Sequence, residues 1–515
     1  MLWASVAAAP LLLTLAPRSP LAHDEGYYQL QAQWILASGH WLAPLWWGEP
    51  VFDRTIGAQW LIAAAEGLLG PSGWAAHLPS QLAALASLWL TALLGHRLLG
   101  PGLGRLSALV LALTPLWLNY AHQASQDMPL LALELLGVWA LLRSEDDQQR
   151  QGPWPLLAGL WLGLAFLIKG FMAVLPALAL APLFWQRRWL LRSGRFWAGL
   201  LLGALPAALW LGLSLQVHGL TLVSGLWQKL LFLSNSDVYA AGPLYYLWNI
   251  PANTAPWGLA ALAGWWQLLR RPLPQDSRLA LLLYPLLLLL LLSSFRTKTP
   301  YYGLQLSPWI AMAAAAAVQR WSTVLPPRGQ ALNRLIAGFG ALVLAAAAAL
   351  AWPPAPLQHL LASTSELPPR WCLLMAAFAL GGSWLALAWA KSPRQRLLTL
   401  LLGPWLALVL LVQGGVFTDR SPALRQALAP TAVQAALRHG PIQAAAASPL
   451  SGSDHAQLIL LALASPNTPS QLLQPAAVAP GQRVWIRRVE LGDAPWRLVL
   501  EAPALQGWVL AERLP

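Results

Sequence analysis

Residues 154–186 read WPLLAGLWLGLAFLIKGFMAVLPALALAPLFWQ, a stretch whose only charge is Lys169. As a single α-helix it would be about 50 Å long, well past a hydrocarbon layer of about 30 Å. A break at Lys169-Gly170 instead gives two segments, 154–168 and 170–186, that cross in opposite directions. Outward from there, apolar runs recur at 2–17, 79–98, 104–121, 128–143, 196–216, 245–269, 279–295, 302–319, 333–352, 371–390 and 397–414. Backbone polar groups in lipid must be satisfied within the segment, so such runs are helices. The expected fold is an all-α polytopic membrane protein with about thirteen transmembrane helices.

Composition agrees. Of 515 residues, 57% are hydrophobic and only 10% charged, whereas soluble domains carry about a quarter charged residues. Lys and Arg number 32 against 19 acidic residues, a net charge of +13. In a soluble chain that excess would point to nucleic acid; here it is the signature of cytoplasmic loops. Cys372 is the single cysteine and lies in an apolar run, which excludes an intrachain disulfide and a cysteine metal site. No Walker loop, dinucleotide fingerprint, HExxH or zinc-knuckle spacing occurs, so ATP-driven transport has no support.

The charges orient the bundle. With the amino terminus inside, one set of loops holds Arg97, Arg105, Arg143, Arg150, Arg187, Arg188, Arg192, Arg195, Arg270, Arg271, Arg278, Arg320, Arg328, Arg334, Lys391, Arg394 and Arg396. The other holds only Arg18, Arg54, Lys169, Lys229, Arg296, Lys298 and Arg370. The first set is therefore cytoplasmic. Asp24, Glu25, Glu49, Asp53, Glu66, Asp127 and Asp237 fall on the outer side, which is where function is expected. A cleaved signal peptide ending near Ala22 is the alternative for the first run, but the run lacks a basic leading region.

Residues 18–78 form the first outer loop. Asp24 can cap a helix whose Tyr27, Leu30 and Trp34 share a face; Trp41, Trp46 and Trp47 follow as interfacial aromatics. A second amphipathic stretch, Thr55 to Leu69, completes a pair of helices lying along the membrane surface. Capping alone would be the better explanation of an arbitrary Asp, but this one sits at the mouth of a bundle.

The run His23-Asp24-Glu25-Gly26-Tyr27-Tyr28 resembles the Asp-Glu segment of the GT-C glycosyltransferases, in particular the group of dolichyl-phosphate-mannose–protein mannosyltransferases and aminoarabinose transferases. Ser38-Gly39-His40-Trp41-Leu42-Ala43-Pro44, Gly48-Glu49-Pro50-Val51-Phe52-Asp53-Arg54 and Gln59-Trp60 resemble the stretch that follows it in that group. Asp127-Met128-Pro129 is similar to the second acidic motif, Phe166-Leu167-Ile168-Lys169-Gly170 to the "FLTKG" segment, and Arg296-Thr297-Lys298-Thr299-Pro300-Tyr301-Tyr302 to the "RTKLPHY" turn. The matches span roughly the first 320 residues in order, a more specific signal than any one motif. Three positions depart: Arg54-Thr55-Ile56 replaces Lys-Pro-Pro, Tyr27 stands where an Arg often follows Asp-Glu, and Tyr301 replaces a His.

The resemblance implies an enzyme that moves a hexose or pentose from a polyprenyl phosphate, with inversion, to an envelope lipid, glycan or protein acceptor. A hydroxyl acceptor must lose a proton, and Asp24 is the candidate base. Glu25 and Asp127 complete the acidic set, although Glu25, as a sequence neighbour of Asp24, points elsewhere and more readily supports structure. The leaving lipid phosphate needs fixed donors. Arg296 and Lys298 supply an Arg fork and a point charge next to the helix opened by Thr299-Pro300, with interfacial anchoring as the plainer role. Lys169, Arg54, Asp53, Tyr27, Tyr28, Tyr301 and Tyr302 are further substrate-binding candidates, Lys169 having snorkelling as its plainer role. The sequence identifies no cofactor, and a divalent metal, though open, is disfavoured: a His that contributes to a metal site in some relatives has no counterpart between Gly219 and Tyr245.

At about Phe417 the composition changes. Residues 417–515 read as a small soluble α/β domain on the outer face, with helix near 421–438 and strands at Arg483–Arg488 and Arg497–Glu501, following a transmembrane domain over 1–416. A secondary transporter or a non-catalytic membrane protein handling lipid-linked substrates would share the composition. The first would show paired repeats or broken polar helices, of which none is evident.

Overall fold

The computed structural model describes residues 2–145, 152–235, 239–324, 328–352, 370–447 and 450–515; Arg150 and Asp237 fall outside them. After α1 (Leu2–Leu12), the chain forms two short helices before the bundle, α2 (Tyr27–Ser38) and α3 (Gly57–Leu69), with a two-residue ribbon between them, β1 (Leu45–Trp46) against β2 (Glu49–Pro50). Then come α4 (Gly73–Leu99), α5 (Pro101–Ala112), α6 (Pro115–Ala121), α7 (Asp127–Ser144), α8 (Trp154–Lys169), α9 (Val174–Ala179), α10 (Ala181–Gln186), α11 (Gly194–His218) and α12 (Thr221–Asn235). The bundle continues through α13 (Tyr245–Asn253), α14 (Trp257–Leu269), α15 (Gln275–Ser294), α16 (Ser307–Thr323), α17 (Arg328–Ala351), α18 (Arg370–Leu385) and α19 (Pro393–Gln413).

Among the described residues, seven helical stretches are long and apolar enough to cross a membrane, eight if the pair α5 and α6, bent by 68°, is one span. The other apolar runs are helical but shorter or broken: α1 has 11 residues, and 245–269 divides into α13 and α14 around Thr254-Ala255-Pro256. Length and composition count 154–179 as one 26-residue stretch, yet α8 stops at Lys169, because Gly170 adopts φ 56°, ψ −135°.

Side-chain contacts order the two ends of the bundle. Lys169 pairs with Asp127 at the start of α7. At the other end of α7, the Leu142 carbonyl accepts from Arg97 (3.3 Å), Leu98 accepts from Ser277 (3.1 Å), and Arg187 meets the neighbouring Asp276 at 2.6 Å. Lys169 and Arg187 therefore lie at opposite ends of α7, and the intervening residues run back along it.

The tail opens with α20 (Pro422–Leu428) and α21 (Thr431–Arg438), where helix was expected. It continues through β3 (Ile442–Ala445), α22 (Gly452–Ala464), β4 (Leu472–Leu473), β5 (Arg483–Arg487), β6 (Trp496–Glu501) and β7 (Trp508–Arg513). The sheet order is β4-β3-β5-β7-β6, parallel at β3 and antiparallel at β7. Its buried Trp485, Trp508, Leu458 and Leu461 form a separate small core. A second apolar seam holds this unit onto the first loop: Leu30, Trp34 and Leu45 pack on Ile459 and Ala462, and the Trp34 indole donates to the Thr468 carbonyl at 2.9 Å.

Candidate active site

The ribbon and α2 bring the first loop's aromatic and charged residues to the open end of the bundle. There a cavity of about 570 Å³ is lined by side chains from separate parts of the chain: Asp24, Tyr27 and Tyr28; Trp46, Asp53, Arg54 and Thr55; Gln126 and Asp127; Lys169; Lys229 of α12; and Thr297, Thr299, Tyr301 and Tyr302. His455 at the start of α22 completes the mouth, 6.1 Å from the ring of Trp46.

Asp24 is not a helix cap. The helix begins at Tyr27 behind Gly26 without a side-chain cap, while Asp24 sits in a kink at φ 66°, ψ −55°. Asp tolerates the left-handed region better than most residues, at some cost. The carboxylate is exposed to the cavity and has no hydrogen bond or ion pair among the described residues. Glu25 goes the other way. It is 1% exposed and absent from the cavity wall, held by the Leu21 amide at 2.8 Å and by His77. Burial alone would raise its pKa, but the His77 contact and the Leu21 amide outweigh it and hold the carboxyl below its usual value. Its grouping with the catalytic residues is thus corrected: adjacent residues in a tight turn diverge, and only Asp24 reaches the cavity.

Arg54 clamps Asp53 through Nε (3.0 Å) and a terminal nitrogen (2.7 Å), and its guanidinium lies 4.6 Å and 4.9 Å from the ring centres of Tyr27 and Tyr28. Burial opposes the charge, yet the tyrosines and Asp53 keep Arg54 firmly protonated. The Tyr27 hydroxyl donates to Asp53 at 3.4 Å. Lys169 does not snorkel. It turns inward to Asp127 and lies 5.0 Å and 5.5 Å from the rings of Tyr301 and Tyr302.

The expected phosphate grip at Arg296 and Lys298 is not what the turn presents. Arg296 is exposed and outside the cavity wall; Lys298 is 6% exposed and donates back to the Phe295 carbonyl. The reason is backbone pairing. The Lys298 amide donates to Tyr239 (3.0 Å) and the Ala241 amide to Arg296 (3.3 Å), fixing an extended strap from which Thr297 and Thr299 face the cavity instead. Pro300 does open a helical turn, Pro300–Leu306, which leads into α16.

Lys229 is the cation that sequence reasoning left without a role. It lines the cavity from α12 with no carboxylate partner among the described residues, 5.1 Å from the Phe232 ring. Burial and the nearby Arg54 lower its pKa, and Asp53 and Asp24 pull the other way. On α12, Leu226 and Leu230 line the cavity with Lys229, whereas Trp227 and Leu231 are exposed. His122, shortly before Asp127 in sequence, is buried and bonded to the Leu11 carbonyl at 2.7 Å, away from the cavity wall. Among the described residues no three His, Cys, Asp or Glu side chains converge as a metal site.

The cavity belongs to an apolar helical bundle with an acidic first-loop turn, packed against an α/β tail. Comparison with known proteins finds likenesses in sequence and in fold. The family model described as dolichyl-phosphate-mannose-protein mannosyltransferase matches residues 53–211. The solved structure of ArnT from Cupriavidus metallidurans bound to undecaprenyl phosphate superposes with a TM-score of 0.75 over 99% of this chain and 97% of that one. At 17% identity that likeness is one of fold. In sequence, the chain is 29% identical over 330 residues to undecaprenyl phosphate-alpha-4-amino-4-deoxy-L-arabinose arabinosyl transferase 1 of Pseudomonas fluorescens, covering 60% of this chain and 56% of the relative. It is 31% identical over 346 residues to the corresponding transferase of Pseudomonas paraeruginosa, covering 64% and 61%. The chain thus spans less than two thirds of the length of the curated relatives it matches. The chain is similar in part of its sequence to these transferases and in fold to ArnT.

Proposed function

We propose that this protein is an integral membrane glycosyltransferase that moves a hexose or pentose from a polyprenyl phosphate to a lipid, glycan or protein acceptor of the cell envelope. The observation that carries this reading is one cavity lined by a carboxylate, Asp24, and a cation, Lys229, neither with an ion-pair partner among the described residues, together with the Arg54–Asp53 pair against Tyr27 and Tyr28. Asp24 takes the proton of the acceptor hydroxyl as it attacks the sugar. Lys229 meets the developing charge of the leaving phosphate, and Arg54 joins it by exchanging Asp53 for phosphate oxygens. The tyrosine faces hold the sugar ring and the Arg in register. Transporter or scaffold readings gain no such support from the cavity.

We further read the chain as spanning the inner membrane about thirteen times, with residues 1–416 as the transmembrane domain and 417–515 as a soluble domain, and with the cavity on the periplasmic side. The changed Lys-Pro-Pro segment does not remove the cation, because Arg54 occupies the same stretch. The test is reconstitution. Purified protein is given polyprenyl-phosphate sugars of both ring classes with envelope lipids, and products are read by mass spectrometry. Transfer that disappears in Asp24→Asn supports the reading; no consumption of any lipid-linked donor by protein that binds polyprenyl phosphate refutes it.

A further inference from the structure

The turn that carries Asp24 is held by a contact from α4. Arg18 donates a terminal N–H to His77 Nδ1 at 2.6 Å, and His77 Nε2 contacts Glu25 Oε1. An Arg has only donors, so Nδ1 must be the bare nitrogen and the imidazole proton sits on Nε2, directed at the carboxylate. The other oxygen of Glu25 accepts the Leu21 amide at 2.8 Å, and the Gly26 amide closes on the Leu21 carbonyl at 2.8 Å. Residues 21–26 are thereby drawn into a closed turn whose free corner is Asp24, in a backbone conformation it would not keep unaided. His77 belongs to α4, a 27-residue helix of the bundle, and is 2% exposed. The chain of donors thus ties the Asp24 turn to a rigid element. Arg18 also keeps Nε and its second terminal nitrogen buried without a partner among the described residues, a cost that a simple His–Glu packing contact would not require.

We propose that His77 and Arg18 are positioning residues for Asp24, acting through Glu25 as a directed chain Arg18→His77→Glu25. Its effect on turnover rests on the transferase reading above, while its effect on the position of residue 24 does not. The chain makes a chemical demand that burial or charge alone would not: position 77 must accept from Arg18 and donate to Glu25. Gln meets that demand with its amide oxygen and nitrogen, Ala meets neither half, and Lys can only donate.

Two measurements test it. In a Cys372→Ser background with Asp24→Cys, the rate of modification by a water-soluble maleimide reports the placement of residue 24. Adding His77→Ala is expected to change that rate several-fold, and His77→Gln to leave it near the parent value. With Asp24 intact, His77→Ala is expected to lower kcat by about 10-fold or more with the donor KM little changed, the mark of misplacement at the reacting centre. His77→Gln should recover most of the rate, and His77→Lys should not. If His77→Ala does not fold, the folded pair His77→Gln and His77→Lys carries the comparison, with Arg18→Gln expected to show an intermediate loss. Unchanged modification and kcat in His77→Ala, or Gln as impaired as Ala or Lys, overturns the proposal. A shifted modification rate in a protein that transfers no sugar leaves the positioning intact and removes the transferase reading.

Discussion

A carboxylate that faces a cavity without a partner keeps its lone pairs for a substrate, and among the described residues Asp24 is placed that way while its neighbour Glu25 is consumed by structure. Asp24→Asn keeps the shape but loses the proton acceptor, so kcat should fall by about 10²–10⁴-fold with polyprenyl-phosphate binding nearly intact. Turnover within a few-fold of wild type in a folded Asn variant would remove Asp24 from the chemistry. Because Asp24 caps no helix, Asp24→Ser should be as inactive as Asn and lose only the small tolerance for positive φ that Asp and Asn share, which thermal unfolding in detergent would read. Among the cations, Lys229→Ala should weaken binding of polyprenyl phosphate by about 1.5–3 kcal/mol, the loss of one charge-assisted contact in a water-poor site. Arg296→Ala should cost much less, since that side chain is outside the cavity wall. Equal losses in the two variants, measured by calorimetry, would restore the turn at Arg296 to the site and weaken the assignment of Lys229.

Element packing explains why some of this was legible and some was not. Asp24, Tyr27, Tyr28, Asp53, Arg54, Asp127, Lys169, Tyr301 and Tyr302 could be chosen from sequence, because each sits in a short motif and the structure gathers them all. Lys229 and His455 could not, because their place depends on α12 and α22 docking across long sequence distances. Lys298 was misread because its direction is set by the strap at Tyr239–Ala241, a pairing invisible in the turn itself. The same holds for α8 and α11. A side chain at Gly159 would meet the Phe196 carbonyl at 2.2 Å, and one at Gly199 the Leu156 carbonyl at 1.9 Å; Gly163 and Gly203 repeat the pattern one turn on. Small residues four apart let two membrane helices approach backbone to backbone. Gly199→Leu should therefore separate the pair and destabilise the protein by more than the roughly 1–3 kcal/mol of ordinary overpacking. Gly212→Leu, on the same helix with open space around it, should be tolerated. Detergent thermostability separates the two, and equal melting temperatures would contradict the close packing of α8 on α11.

For the whole molecule the decisive question is which end of the bundle faces out, and the charges and contacts bear on it separately. Charge bias alone assigns the Arg-rich loops to the cytoplasm. The contacts alone put Arg187, Asp276, Arg97 and Leu142 at one end of α7 and Lys169 with Asp127 at the other. The two agree only if the chain reverses at Gly170, since otherwise Lys169 would sit midway along one overlong helix that runs on to Arg187. The expectation is that Asp24, Lys169 and Arg296 face the periplasm and that Glu145 and Arg192 face the cytoplasm. Because Cys372 is the single cysteine and is buried, single-cysteine variants in a Cys372→Ser background give a clean readout with a membrane-impermeant maleimide. Position 192 should label only after the membrane is opened, and position 296 in intact spheroplasts. Position 169 is half-buried against Asp127 and the tyrosines, so it should label slowly, but from the same side as 296. Labelling of 169 and 192 from one side would mean that the run at 154–186 does not reverse. Every later helix would then be inverted, and the cavity would have no access to a donor carried on the outer leaflet.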